Sequence, residues 1–280
     1  VDLGRQAEVD LEVATSPWTT KVVRPGKFIR WETQRGCPFH CSFCQHRAPA
    51  GFGVKRVLGR RIEEEIAVFS GEGSEDREIA VLDPTFNASD EHAIGVIDAL
   101  RLGDYRGTIS LQVRPEKLTR SFLEAVAALG PRRVRLKFGV QTAVPAELEV
   151  IDRIVGADPE RVASQVSRKL KLVQEYGSDI ISEISLIFGL PRQTVSSFEQ
   201  NIAWCRSTLP AAKVVAFPLM LLRGTSLQHR AKELDLVEGI VEHPCLGRIQ
   251  NFIPHVVSSP TMTTADWRVM AGLAAELQNK

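Results

Sequence analysis

Long apolar runs are missing from this 280-residue sequence, in which no stretch approaches twenty apolar residues. A membrane-spanning helix is therefore not expected. An excess of charge is missing as well, because 35 basic and 34 acidic residues give a net charge of +1 without any basic block. We therefore expect no nucleic-acid partner and no membrane partner. The N-terminal stretch lacks the basic-then-apolar order of a signal peptide, which predicts a cytoplasmic location.

Cysteine is scarce, but its placement is uneven. Of the five cysteines, Cys205 and Cys245 stand alone, whereas Cys37, Cys41 and Cys44 fall within eight residues. Without a secretion signal, clustered thiols indicate metal binding or redox chemistry and not a disulfide framework. We expect Cys205 to lie in the core. Cys245 is the better candidate of the two for a functional thiol.

Short β-branched runs alternate with helix-like stretches along most of the chain. This order predicts a parallel sheet with right-handed crossovers. No G-x-G-x-x-G follows any of the runs, which weakens the dinucleotide-binding version of such a sheet. We therefore predict an α/β fold, an incomplete (β/α)6 TIM-like barrel with N- and C-terminal extensions. The predicted strands are 27–33, 77–83, 107–113, 132–140, 178–188 and 212–220, and the predicted helices are 60–70, 90–102, 119–129, 159–176 and 196–207.

The repeat divides the chain into three predicted parts. Residues 1–26 form an N-terminal extension or bridge, residues 27–223 form the barrel, and residues 224–280 form an extension that covers it. The last part ends in an amphipathic helix from about Thr264. Ligands of α/β barrels bind beyond the carboxyl ends of the strands. The cysteine loop follows the first predicted strand, so we expect it at the functional edge.

The three clustered cysteines could hold either zinc or an iron–sulfur cluster, because thiolates are soft ligands. Structural zinc takes four protein ligands, so a zinc knuckle would need His40 or His46 as the fourth. A [4Fe–4S] cluster bound by three cysteines would leave one iron open to an external ligand. The motif, its strand context and the barrel pattern together favour the cluster. A zinc-stapled binding protein without enzymatic activity is the alternative.

The spacing C-x3-C-x2-C, with an aromatic residue before the last cysteine, resembles the signature of radical S-adenosylmethionine (SAM) enzymes. The resemblance implies that Cys37, Cys41 and Cys44 hold a [4Fe–4S] cluster whose fourth iron binds the methionine part of SAM. It also implies that one electron cleaves SAM to methionine and a 5′-deoxyadenosyl radical. Phe43 takes the aromatic position, whose backbone approaches the adenine in this family.

Later segments resemble those of the same family and imply further contacts to SAM. "LDPTFNAS" is similar to a turn that holds the amino group of SAM, and "SLQVRPE" and "KFGVQT" are similar to strand ends that contact the ribose. An arginine after the fourth strand implies a carboxylate contact, and "LIFGLPRQT" and "FPLMLLRGTSL" imply adenine contacts, although Arg192 and Arg223 replace the usual Gly and Pro. The implied SAM-binding residues are Asp83, Pro84, Thr85, Gln112, Gln141, Arg153, Gly189 and Pro218.

Simpler roles stay open for three of these residues. Asp83 could cap a turn, Arg153 could be a solvated helix charge, and Pro218 could end its strand. No catalytic residue beyond the cluster ligands is assigned.

The stretch from "SPW" to "CSFC" resembles the bridge into the barrel of members that carry a cobalamin-binding domain. Either residues upstream of Val1 have been removed, or this is a stand-alone member without that domain, and we expect the second. We predict an oxygen-sensitive enzyme of natural-product biosynthesis that abstracts hydrogen from a small molecule, with flavodoxin or ferredoxin as electron donor. The alternatives are release of an aminocarboxypropyl radical from SAM, or cobalamin-dependent methyl transfer if an upstream domain exists.

Overall fold

Six parallel strands form the centre of the protein in a computed structural model that describes residues 11, 13–46, 53–130, 133–153, 158–177, 180–246 and 252–278. The strands are β1 (Phe28–Trp31), β2 (Gln34–Arg35), β3 (Lys55–Arg56), β4 (Glu78–Val81), β5 (Thr108–Val113), β6 (Val134–Gln141), β7 (Ile181–Phe188), β8 (Lys213–Pro218), β9 (Val237–Gly239) and β10 (His255–Ser258). The helices are α1 (Gly59–Phe69), α2 (Asp90–Leu102), α3 (Arg120–Leu129), α4 (Pro145–Val150), α5 (Pro159–Glu175), α6 (Val195–Thr208), α7 (Ser226–His229) and α8 (Thr264–Gln278).

The central sheet has the order β1-β4-β5-β6-β7-β8, and every pairing in it is parallel. Within the described residues β1 and β8 do not pair, so the barrel is open on one side. The predicted fold class, an incomplete barrel of six βα units, is confirmed. Residues 132 and 178–179 of the predicted strands lie outside the described residues.

The first strand is shorter than the predicted range 27–33, because its last residues turn to a different partner. The backbone N–H groups of Thr33 and Gln34 donate to Asp83 Oδ1 at 2.8 and 3.1 Å instead of continuing the ladder. Gln34 and Arg35 then pair with the short strand β3. This change of direction carries the chain from the barrel wall into the cysteine loop.

Helix starts agree with the side chains that cap them. Ser89 caps α2, and Asp158 caps α5 with Pro159 in the first turn, residue types that favour these positions. Helix α6 begins at Val195, one residue before the predicted start at residue 196. Thr194 accepts from the backbone of Ser197, whose hydroxyl accepts from the backbone of Thr194, and this capping box fixes the start at Val195.

The C-terminal segment adds to the outer layer of the barrel. Helix α8 packs against β8 and α6, and Trp267 lies with its ring centroid 5.5 Å from that of Phe188. The backbone N–H of Val256 donates to the carbonyl of Leu219 at 2.9 Å, so β10 lies next to the carboxyl end of β8. The amphipathic helix predicted from about Thr264 is confirmed.

A search of the described helices for a segment long and apolar enough to cross a bilayer finds none.

Candidate active site

The cysteine loop lies at the carboxyl edge of the sheet, where two hydrogen bonds fasten it to distant segments. The backbone of Ser42 donates to the carbonyl of Ile151 and accepts from the backbone of Leu227, both at 2.9 Å. Cys37 and Cys41 are buried, and Cys44 is partly exposed. Because neighbouring strands end at this edge, the loop meets residues from the ends of β4, β5 and β6.

All three clustered cysteines line one cavity of about 130 Å³. The ends of β4, β5 and β6 supply the opposite wall. Six of the nine residues predicted to bind SAM also line this cavity, namely Phe43, Pro84, Thr85, Gln112, Gln141 and Arg153. Sequence segments more than a hundred residues apart therefore meet at the thiols, as the predicted position at the carboxyl edge requires.

Two arginines point their guanidinium groups at a single cysteine. Arg114 Nη1 lies 3.6 Å and Arg153 Nη1 3.8 Å from Cys41 Sγ. Both arginines are buried, and Glu116 pairs with both at 3.4 and 3.6 Å. The Arg114 guanidinium also stacks 3.7 Å from the ring centroid of Phe39. Two cations facing one carboxylate leave a net positive environment around the Cys41 sulfur.

The Cys44 thiol carries a desolvation cost. Burial raises the pKa of the Cys44 thiol above its ordinary value, and the neighbouring Cys41 and Cys37 raise that pKa further. A thiol binds metal as the thiolate, so the bound group must supply the positive charge that holds Cys44 deprotonated. The three soft donors fit an iron–sulfur cluster, whose iron ions supply this positive charge. The cluster together with its thiolate ligands carries net negative charge, which the two guanidinium groups at Cys41 compensate.

The zinc alternative finds no support in the arrangement of the donors. Among the described residues, no group of three or more His, Cys, Asp and Glu side chains is arranged to hold a single metal ion. His40 is exposed, and the backbone N–H of His46, not its ring, donates to Cys44 Sγ at 3.4 Å. The three cysteines line one cavity together, without a fourth His, Cys, Asp or Glu among its described lining residues other than His46.

Gln141 reaches the cavity through an irregularity at the end of β6. The register between β6 and β7 shifts between Gly139 and Gln141, and Gln141 has a φ of 71°, which is uncommon for a residue with a side chain. A Cβ at Gly139 would lie 2.9 Å from Gln141 Nε2, so the glycine makes room for this amide. The strained backbone turns the Gln141 side chain towards the cavity.

The Asp83 side chain braces the base of the cysteine loop. Thr33 Oγ1 donates to Asp83 Oδ2 at 2.5 Å, in addition to the two backbone donors already described. Burial raises the Asp83 pKa to about 6 despite these hydrogen bonds. His92 Nε2 lies 2.9 Å from Thr33 Oγ1, and burial, together with Arg56, lowers its pKa to about 4. Asp83 thus connects β4 to the start of the loop.

Gly189 and Pro218 lie at the carboxyl end of the β7–β8 pair. Gly189 has a φ of +83°, and a Cβ there would lie 3.0 Å from the carbonyl oxygen of Val256. Pro218 is buried as the last residue of β8, in register with Phe188. Neither belongs to the wall that contains the cysteines, because β10 and α8 pack at the end of this strand pair.

Glu147 is a buried carboxylate that the sequence analysis missed and that connects two loops at the carboxyl edge of the sheet. It is fully buried and accepts hydrogen bonds from the hydroxyls of Thr142 and Ser197, at 2.6 and 2.5 Å. The amides of Gln193 and Asn201 donate at 3.1 and 3.3 Å. This carboxylate joins the segment after β6 to the segment after β7, and only a hydrophobic-looking "PAELEV" helix marks its position in the sequence.

The two remaining cysteines are poor candidates for reactive thiols. Burial raises the pKa of Cys205 to about 12 and that of Cys245 to about 11. A thiol with so high a pKa is almost entirely protonated at neutral pH and a weak nucleophile. Cys205 lies in the core, as expected, and the environment of Cys245 does not favour the functional role considered for it.

Comparison with known proteins identifies similar sequences and folds. The family model described as the radical SAM superfamily matches residues 31–205. TokK of Streptomyces tokunonensis, a cobalamin-dependent radical SAM methyltransferase, is 24% identical over 197 residues, which are 62% of this chain and 25% of TokK. PH0819 of Pyrococcus horikoshii, an uncharacterized methyltransferase, is 30% identical over 183 residues, which cover 62% of this chain and 36% of PH0819.

Two solved structures share the fold. TsrM of Kitasatospora setae, a radical SAM methyltransferase with tryptophan substrate and a SAM analogue bound, superposes with a TM-score of 0.69 at 16% identity, over 92% of this chain and 53% of TsrM. OxsB, a cobalamin-dependent SAM radical enzyme, gives a TM-score of 0.57 at 12% identity, over 87% of this chain and 40% of OxsB. The chain spans only 25–36% of the length of TokK and PH0819.

Proposed function

Because this chain belongs to the radical SAM superfamily, we propose that it cleaves SAM reductively and uses the resulting 5′-deoxyadenosyl radical to abstract hydrogen from a small molecule. Family membership makes it a SAM-dependent iron–sulfur enzyme with a [4Fe–4S] cluster and SAM as cofactors. The observation that carries the proposal is the cavity in which Cys37, Cys41 and Cys44 face the ends of three barrel strands.

In this proposal the three cysteines hold the cluster, and the cavity wall holds SAM. When bound, the cluster supplies the electron for SAM cleavage and an iron that binds the methionine part of SAM. Arg114 and Arg153 compensate the negative charge at Cys41, since their guanidinium groups donate to its sulfur. Arg153 also has the charge to bind the SAM carboxylate. A hydrogen bond from its guanidinium group to the carbonyl of Gly139 holds the side chain at the cavity wall.

The remaining contacts follow from the positions of polar groups around the cavity. Gln112 and Gln141 lie on adjacent strands and are proposed to bind the ribose hydroxyls. Pro84 and Thr85 are proposed to hold the SAM amino group through backbone oxygens, with Asp83 fixing that turn from behind. The Phe43 backbone is proposed to approach the adenine. An adenine contact is proposed for Gly189 and Pro218 as well, although neither residue lines the cavity that contains the cysteines.

The division into residues 1–26, 27–223 and 224–280 stays a prediction, and the activity of the whole protein is proposed. An external reductant is required by the chemistry, and we propose a flavodoxin or a ferredoxin.

Methyl transfer with the participation of cobalamin is a second candidate function. Similarity to two methyltransferases favours it, since TokK is a cobalamin-dependent radical SAM methyltransferase and TsrM is a radical SAM methyltransferase. Added methylcobalamin should then produce a methylated product that does not form in its absence.

The first experiment is mass spectrometry of the products of SAM. The protein would be reconstituted anaerobically with iron and sulfide, then given dithionite and SAM. We expect 5′-deoxyadenosine from the wild type and from Cys205→Ala, a thiol outside the loop. We expect none from Cys37→Ala, Cys41→Ala or Cys44→Ala, which should also lose iron and sulfide.

Other products would point to other chemistry. Methylthioadenosine as the main product would replace the proposal by aminocarboxypropyl-radical chemistry. Retention of full iron and sulfide in the three loop variants would contradict the ligand assignment. A protein that binds one zinc and cleaves no SAM would overturn the proposed function.

A further inference from the structure

The inner wall of the barrel is polar beneath the cysteine cavity. On β6, Arg135 and Lys137 point to the same side as Gly139, which lines that cavity, because alternate residues of a strand share a face. On β7, Glu183 and Ser185 are in register with Lys137 and Gly139 and therefore point inward too. Barrel interiors are usually filled by branched apolar side chains, so charged residues here indicate a binding cavity.

The lowest charges on this wall neutralise one another. Arg135 forms an ion pair with Glu78 at 3.1 Å, and the Ser110 hydroxyl donates to the same carboxylate at 3.2 Å. These three residues come from three neighbouring strands. This layer has its partners within the protein and needs no ligand.

The next layer, closer to the cysteines, is different. Lys137 is in register with Gln112 on one side and with Glu183 on the other, and Gln112 lines the cysteine cavity. Lys137 and Glu183 are half-buried, yet neither forms an ion pair or hydrogen bond within the part of the chain that the structure describes. Lys213, on the other side of Glu183, donates to the carbonyl of Gln278 at 3.4 Å.

Apolar side chains also face this lumen. Phe217 is in register with Ile187, which shares a face with Glu183 and Ser185, and Phe217 is 41% exposed. Leu82 lies directly after β4, two residues beyond Ala80, and so is on the same face as Ala80. Ala80 is in register with Ser110, whose side chain faces the lumen, and the Leu82 side chain is 51% exposed. Beside the cationic Lys137 and the anionic Glu183, the lumen therefore offers an apolar surface.

We propose, on the basis of the proposed function, that the substrate is a free α-amino acid with an apolar side chain, bound by Lys137 and Glu183. Lys137 binds its carboxylate and Glu183 binds its ammonium group. Neighbouring strands lie about 4.8 Å apart, and both charges of an α-amino acid are carried on one carbon, so one head group can reach both residues. The apolar side chain contacts Leu82 and Phe217. Charge-assisted contacts to both charged groups of the head group fix the orientation of the amino acid.

The test measures binding of amino acids to the reconstituted holoenzyme with SAM present. The probes are L-leucine, L-phenylalanine and L-tryptophan, each with its decarboxylated amine and its deaminated acid, and calorimetry gives the affinities. At least one amino acid should bind more than about tenfold tighter than both of its singly charged analogues, because each analogue lacks one charge-assisted contact.

Two variants assign the charges. Lys137→Met should weaken amino-acid binding by about tenfold or more without weakening the amine, and Glu183→Gln should do so without weakening the deaminated acid. The matched controls are Lys171→Met and Glu199→Gln, exposed residues on α5 and α6, which should leave the affinity unchanged.

The outcomes separate this inference from the proposed function, because 5′-deoxyadenosine formation without substrate is measured in the same samples. If 5′-deoxyadenosine forms but no zwitterion binds better than its analogues, the amino-acid inference is overturned and the function stands. Unchanged affinities in both variants also overturn it, since neither charge would then take part in binding the amino acid. If the wild type forms no 5′-deoxyadenosine, the function itself is wrong.

Discussion

Cys41 has the most unusual electrostatic environment of any residue in the site. Its sulfur faces two buried guanidinium groups, those of Arg114 and Arg153. The family resemblance implies Arg153 only as a contact of the SAM carboxylate and gives no role to Arg114. The backbone of Arg114 is held in turn by Asn87, which accepts from its N–H at 2.8 Å and donates to its carbonyl at 2.9 Å. Such fixed charges act on the redox properties of a bound cluster, because hydrogen bonds and nearby charge set its reduction potential.

Removal of the Arg114 charge should make the bound cluster harder to reduce. We expect Arg114→Gln to shift the midpoint potential to more negative values by on the order of 100 mV, the effect of one unit charge a few ångströms away at an effective dielectric constant of about 20. An EPR-monitored redox titration measures it. Arg114→Lys should give a smaller shift, and Arg101→Gln on the exposed face of α2 none. Equal potentials in Arg114→Gln and wild type, at full iron content, would contradict this role.

His92 should make the folded protein sensitive to mild acid. Its pKa is lowered to about 4 in the folded state, mainly by burial, from an ordinary 6.5. Between these values the unfolded chain binds a proton that the folded chain does not, so His92 makes the free energy of unfolding decrease as pH falls from 6.5 to 4. Asp83, whose pKa is raised to about 6, acts in the opposite direction as pH falls from 6 to 4.

Urea unfolding of wild type and His92→Asn at a series of pH values tests this contribution. The variant should lose less stability than the wild type between pH 6.5 and 4. Parallel curves for the two proteins would show that His92 does not titrate differently on folding.

At the scale of elements, the loops after β6 and β7 are joined by hydrogen bonds instead of apolar contacts. Glu147 at the start of α4 accepts from residues of both loops and of α6, and Gln193 extends the network by accepting from the backbone of Gly189 and Leu190. The elements that end at the site thus have fixed relative positions. Buried polar groups that lose some of their hydrogen bonds are costly, so substitutions in this network should lower the free energy of unfolding.

Glu147→Ala should lower the free energy of unfolding by about 3 kcal/mol, because it leaves several buried donors without an acceptor. Glu149→Ala is the matched control, since Glu149 lies two residues further on the same helix and forms only an exposed ion pair with Arg192. That variant should change stability by less than about 0.5 kcal/mol. Chemical denaturation monitored by tryptophan fluorescence compares the two, and equal losses would contradict the importance of the buried network.

At the scale of the whole molecule, the C-terminal helix α8 belongs to the same core as the barrel. Trp267 is fully buried against Phe188 of β7, and Met270, Ala271 and Ala274 are buried on the same side of the helix. The structure thus joins residues from beyond the six βα units to the last two strands. Loss of this contact should affect the whole fold.

Trp267→Ala should lower the free energy of unfolding by about 3–5 kcal/mol, the usual cost of truncating a buried aromatic residue. Trp267→Phe should cost less, because the indole N–H has no hydrogen-bond partner to lose among the described residues. Val269→Ala, at a position 52% exposed on the same helix, serves as control and should have little effect. If deletion of α8 left the thermal transition of the barrel unchanged, the helix would be an independent appendage.

Local patterns in the sequence were sufficient to predict the six βα units, the cysteine loop at the carboxyl edge and the family, because periodicity and cysteine spacing are properties of short segments. The starts of α2, α5 and α6 are local in the same way, because each is set by a capping residue next to the helix. The three-dimensional arrangement alone decided that Arg114 points at Cys41, 73 residues earlier in the chain, and that Glu147 joins two loops. It also gave Gly189 its neighbours and placed Lys137 beside Glu183. These contacts depend on strand register and on how the loops pack, and neither can be read from any one segment.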